Sequence, residues 1–72
     1  MTGNTSEIPA HVRANLAGLY QLREKRRFSL KDLQVLSGVR AEIIKAWENG
    51  TGTPTKSKYN KLSPIFNWRD WE

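Results

Sequence analysis

At 72 residues the chain is long enough for one small domain, and its twelve Lys and Arg against seven Asp and Glu give a formal net charge of +5. It has no cysteine, which excludes a disulfide staple and fits a reducing compartment. No apolar run approaches the roughly 20 residues of a membrane span, and the polar start over residues 1–7 lacks the order of a signal peptide, so a cytoplasmic location is expected. The basic excess is the electrostatic footprint of a nucleic-acid binder. A basic, soluble interaction module is the alternative that charge alone leaves open.

Residues 1–8 read as a flexible polar arm and residues 9–72 as a single domain. Pro9 is tolerated at a helix start, where its missing N–H has no partner to lose. From Ala10 the apolar positions Val12, Leu16, Leu19 and Tyr20 mark one face of an amphipathic helix to about Arg27, with a basic end that suits the helix dipole. A second, short helix follows Ser29, whose hydroxyl can cap while Asp32 reaches back from three residues on. It carries Leu30, Leu33 and Leu36 and stops at Ser37-Gly38, where glycine supplies a left-handed turn. A third helix spans about Arg40 to Asn49 with Ile44 and Trp47 inward. The run Gly50-Thr51-Gly52-Thr53-Pro54 is a loop. Thr55 caps a fourth helix bearing Tyr59 and Leu62, which Pro64 is expected to end or kink near Leu62.

Two short helices joined by a Gly-containing turn form the core of a helix-turn-helix, here over residues 29–50. Leu33, Gly38, Val39, Ile44, Trp47, Glu48, Asn49, Gly50 and Pro54, with Leu22-Arg23-Glu24 upstream, stand in a pattern that resembles the Cro/CI-type (XRE-like) helix-turn-helix family of phage repressors and bacterial regulators. The resemblance covers about Leu16 to Phe66. It implies an all-α, four- to five-helix Cro/repressor-like domain, and an ion pair between Arg23 and Glu48 beneath the recognition helix. A buried charge survives only when paired and hydrogen-bonded, so Arg23, Glu48, Gly38 and Trp47 are read as structural. Leu33, Val39, Ile44, Trp47, Leu16 and Phe28 are the expected core. Gln34 stands where the family has a small residue, and Arg27 where it tends to have glycine; both are local costs.

In DNA-reading members the recognition helix lies in the major groove and its first side chains touch base edges. Direct readout needs donors and acceptors such as Arg, Lys, Asn or Gln. Here the outward positions are Ala41, Glu42, Lys45 and Ala46, with Ile43 at the border, and Leu30 stands where family members often place a phosphate-binding glutamine. An apolar patch with a polar rim describes a protein-binding surface better than a base-reading one. Leu30, Ala41, Glu42, Ile43, Lys45 and Ala46 are therefore the candidate protein contacts. Within the family the chain looks like a modulator of repression, an antirepressor of a temperate phage of Gram-positive bacteria, whose partner is a phage repressor in the host bacterial cytoplasm. The alternative is Cro-like operator binding, with Arg40, Glu42, Lys45 and Asn49 at the groove and Lys56 and Lys58 on phosphates, which give affinity without sequence information. An antitoxin-type module with the same fold is a third reading.

Nothing points to catalysis. His11 is the sole histidine and reads as a surface residue, so neither a zinc site nor a Cys/His or Ser/His arrangement can be assembled. Gly50 and Gly52 do not form a phosphate loop after a strand. No cofactor, metal or membrane partner is expected. In the tail Trp68 and Trp71 would share a face if helical, either completing the core or serving as a dimer contact.

Overall fold

A computed structural model describes residues 8–72; the arm over residues 1–7 lies outside the described residues. Ile8, assigned to that arm, packs against the core. Among the described residues the elements are all helices: α1 (Ala10–Ala17), α2 (Leu19–Lys25), α3 (Leu30–Ser37), α4 (Ala41–Asn49) and α5 (Lys56–Phe66). The fold is all-α with five helices, as the sequence resemblance implies.

The first amphipathic stretch is interrupted rather than continuous. Gly18, at φ −97° and ψ 7°, separates α1 from α2, since glycine holds helical geometry more weakly than any residue but proline. Its carbonyl still accepts the Leu22 N–H at 3.0 Å, so the inward stripe carries on as Val12, Leu16, Leu19 and Arg23, at spacings of four, three and four. Tyr20, read from the sequence as part of this stripe, falls one residue beyond it and is exposed. Its ring lies under the Arg23 guanidinium, 5.4 Å from centroid to Cζ. The helix then ends through Arg27, which takes a left-handed φ of 60°.

In α3 the inward residue is Leu33, flanked by half-buried Leu30 and Ser37. That stripe passes Leu36 by, and Leu36 is exposed. Leu16, Leu33, Val39, Ile44 and Trp47 are buried as expected, while Phe28 is half-buried, edge-on to Phe66 with ring centroids 6.3 Å apart. Val12, Leu19, Tyr59, Leu62 and Phe66 complete the core. Full burial of a side chain such as Leu33 or Ile44 is worth about 1.5–3 kcal/mol. Because α1 and α3 both pack on α4, and α3 also on α5, the core lies beneath the recognition helix and fixes its inner face.

The α5 helix does not end near Leu62 but runs through Pro64 to Phe66. Pro64 is itself exposed, while Leu62, Ser63 and Phe66 around it are buried, so packing outweighs the lost backbone bond. The Ser63 hydroxyl, 3.3 Å from the Asn60 carbonyl that Pro64 leaves without its helical donor, also lies 2.5 Å from Asp70 Oδ1. After Asn67 the tail is not helical and folds back along α5. The Asn60 amide donates to the Trp71 carbonyl and accepts its N–H, both at 2.8 Å. The Tyr59 hydroxyl donates to the Arg69 carbonyl at 3.0 Å, and His11 Nε2 bonds the Asp70 carbonyl at 3.0 Å. Trp68 stacks on Tyr59 at 5.4 Å and Trp71 meets the same ring edge-on at 6.1 Å. Both tryptophans thus complete the core of their own chain.

Candidate functional site: the helix-turn-helix face

The motif is held by its caps. Ser29 Oγ accepts the Asp32 N–H and Asp32 Oδ2 accepts the Ser29 N–H, both at 2.9 Å, the reciprocal box expected from the sequence. Gly38 takes the left-handed conformation, φ 81°, that turns the chain from α3 to Val39 and α4. The Ser37 hydroxyl donates to the Leu33 carbonyl at 2.6 Å and accepts the Val39 N–H at 3.0 Å.

Gln34 resolves differently from a simple misfit. Its side chain points outward and its Oε1 accepts the Ala41 N–H at 2.8 Å. A helix opens with four backbone N–H groups that lack internal partners, and Arg40, the residue before α4, caps none of them with its side chain. The glutamine therefore fastens the start of the recognition helix to α3, a bond that a small residue could not make. The residue's identity was visible in the sequence, but its acceptor role needed the crossing geometry.

Beneath α4 the implied ion pair is present and bidentate. Arg23 Nε lies 2.6 Å from Glu48 Oε2 and Nη2 lies 3.1 Å from Oε1, with the two side chains only 9% and 5% exposed. Arg23 Nη1 also donates to the Phe28 carbonyl at 2.9 Å, tying α2 to the turn that leads into α3. The hydrogen bond to Glu48 raises the guanidinium above its ordinary value, against the opposing effect of burial. Such a pair fixes which face of α4 turns outward.

The outward ridge of α4 is Glu42, Lys45 and Asn49, all exposed and spaced three and four residues apart. At its tip Arg40 Nη2 and Glu42 Oε2 form an ion pair at 3.2 Å, with side chains 73% and 72% exposed. The apolar candidates are less open than the sequence suggests. Leu30, Ala41, Ile43 and Ala46 are half-buried, and Leu30 and Ile43 pack against the core. The following loop folds onto the Ala46 end of the helix, where the Ala46 carbonyl accepts the Thr51 N–H at 2.9 Å. Of the lysines that open α5, Lys56 is exposed and Lys58 half-buried. The face is thus a polar ridge flanked by partly sunken apolar edges. Among the described residues no His, Cys, Asp and Glu cluster suited to a metal occurs, and no helix is long and apolar enough to cross a membrane.

A helix-turn-helix family model matches residues 19–67, spanning α2 to the end of α5. The chain belongs to this family, the Cro/CI-type helix-turn-helix regulators, whose domain is a DNA-binding one. No curated protein and no solved structure gives a significant match.

Proposed function

We propose that the chain is a small regulator of a phage-type genetic switch that binds the DNA-binding domain of a repressor through its own helix-turn-helix face and so blocks operator binding. The observation that carries this reading is the Arg40–Glu42 pair at the tip of α4. In a groove reader that turn supplies free donors to base edges. Here a carboxylate stands beside the arginine, Ala41 next to it has no polar group, and Leu30 stands at the start of α3. A repressor's DNA-binding surface must be basic to hold phosphates, and an exposed Glu42 carboxylate is a group such a surface attracts. The exposed edges of Leu30, Ala41, Ile43 and Ala46 add apolar contact area beside Glu42 and Lys45.

Cro-like operator binding is the second reading, and the polar ridge favours it. Lys45 and Asn49 are exposed on α4 and Lys56 on α5, and the net charge of +5 draws the chain to DNA. The two readings separate in one titration. A labelled operator held by the repressor encoded beside the gene is titrated with this chain at physiological salt, alongside the chain on operator alone. Release of the operator by a protein–protein complex, with weak and sequence-indifferent DNA binding by the chain alone, is the expected result. Nanomolar binding of the isolated chain to one operator, lost on single base changes, overturns it in favour of the Cro-like reading.

A further inference from the structure

The helix-turn-helix face is assembled from two helices, and one polar side chain links them. Leu30 opens α3, while Ala41 and Glu42 open α4. Gln34 stands one turn after Leu30, and residues four apart share a side of a helix. From that side its Oε1 accepts the Ala41 N–H at 2.8 Å. Other hydrogen bonds at the start of α4 are local to it. Ile43 and Ile44 donate to the Arg40 carbonyl at 3.0 and 3.1 Å, and the Arg40 side chain caps nothing. Val39 and Ile44 are buried and anchor the inner side of the turn. Among the described residues Gln34 makes the one hydrogen bond that reaches the first turn of α4 from α3.

We infer that Gln34 is a positioning residue for this face: by accepting the Ala41 N–H it holds the tip of α4, with Arg40 and Glu42, in place relative to Leu30, and so sets how tightly the face binds. This rests on the reading of the partner as a repressor's DNA-binding domain. A first turn that frays must be re-ordered on binding, and the fraction of chains with the tip in place scales the apparent affinity. Gln34 is exposed, so water competes for both groups and the effect is moderate. The loss of a weak helix cap corresponds to about a two- to fivefold change in affinity. A side chain of the same length without an acceptor fills the same space but leaves the N–H to water.

The test is the release of labelled operator from the repressor, read together with hydrogen exchange at the Ala41 N–H, on chains of matched melting temperature. Gln34→Met keeps the side-chain length and removes the acceptor. It should exchange faster at Ala41 and need about two- to fivefold more protein to release the operator. Gln34→Glu keeps an acceptor at a helix start, where the dipole also favours a carboxylate, and should restore both. Because that glutamate adds negative charge, the control is Gln34→Met combined with Val35→Glu. It places the same charge at an exposed position about 100° around the helix from Gln34, and should remain as weak as Gln34→Met. A Gln34→Met chain that releases the operator as readily as the wild type overturns the inference and leaves the repressor reading in place. So does a Gln34→Glu chain that stays weak, or a double variant that recovers. A wild type that releases no operator overturns the repressor reading itself, and the inference with it.

Discussion

At the scale of single residues, two charged side chains do most to define this domain. Glu48 lies under α4 and is bound to Arg23 by both carboxylate oxygens. Removing one partner of a buried pair costs far more than the pair contributes, because the other charge is stranded. Glu48→Ala should therefore destabilise the fold by about 3–5 kcal/mol, while replacing Arg23 and Glu48 together by well-packed apolar residues should recover much of that loss. Thermal melts of the three chains measure both. Arg23 itself adds no pH dependence near neutrality. Its raised value means that its stabilisation is fully present below the guanidinium's ordinary range and is lost only as pH rises through the raised value. Arg27 works in the opposite direction. A non-glycine residue at φ 60° carries about 1–2 kcal/mol of strain, so Arg27→Gly should raise stability by about 1 kcal/mol once glycine's greater freedom in the unfolded chain is subtracted. A denaturant midpoint that falls instead would show that the arginine side chain contributes packing that offsets the strain.

Among the elements, legibility in the sequence followed the caps. The α3 and α4 boundaries could be read because Ser29, Asp32 and Gly38 each perform a local job that few other residues perform as well. The break at Gly18 could not, since a lone glycine inside an amphipathic run is compatible with an unbroken helix. Pro64 misled for a related reason: local propensity forbids it, but burial of the helix around it decides the outcome. Tyr20 stands in an apolar spacing that α2 satisfies inward with a different residue, Arg23, which is not apolar. The site itself was half legible. The residue types on α4 were plain, but the sinking of Leu30 and Ile43 into the core edge depends on the helix crossing. The role of Gln34 belongs to this scale as well. Gln34→Ala should leave the fold intact and cost about 0.5–1 kcal/mol, the low end of a lost helix cap. The loss should appear locally, as faster hydrogen exchange at the Ala41 N–H. An unchanged exchange rate there would mean that water replaces the glutamine at no cost.

Seen as a whole molecule, a 72-residue chain without a disulfide has closed its small core with its own tail. Trp68 and Trp71, which the sequence left open as dimer contacts, are occupied by Tyr59, while the α4 ridge stays exposed. On the proposed reading, the tip of that ridge meets a basic protein surface rather than the edges of bases. Glu42→Lys tests it most directly, because Glu42 is exposed and its replacement leaves the core untouched. The change frees Arg40 and adds positive charge, which strengthens attraction to DNA, and it sets like charges together at a basic partner. The measurement is the titration of repressor-bound, labelled operator with wild-type and Glu42→Lys chains of matched melting temperature. The wild type should release the operator and the variant should need at least tenfold more protein to do so, while its own DNA binding rises. A Glu42→Lys chain that releases the operator as readily as the wild type would contradict it.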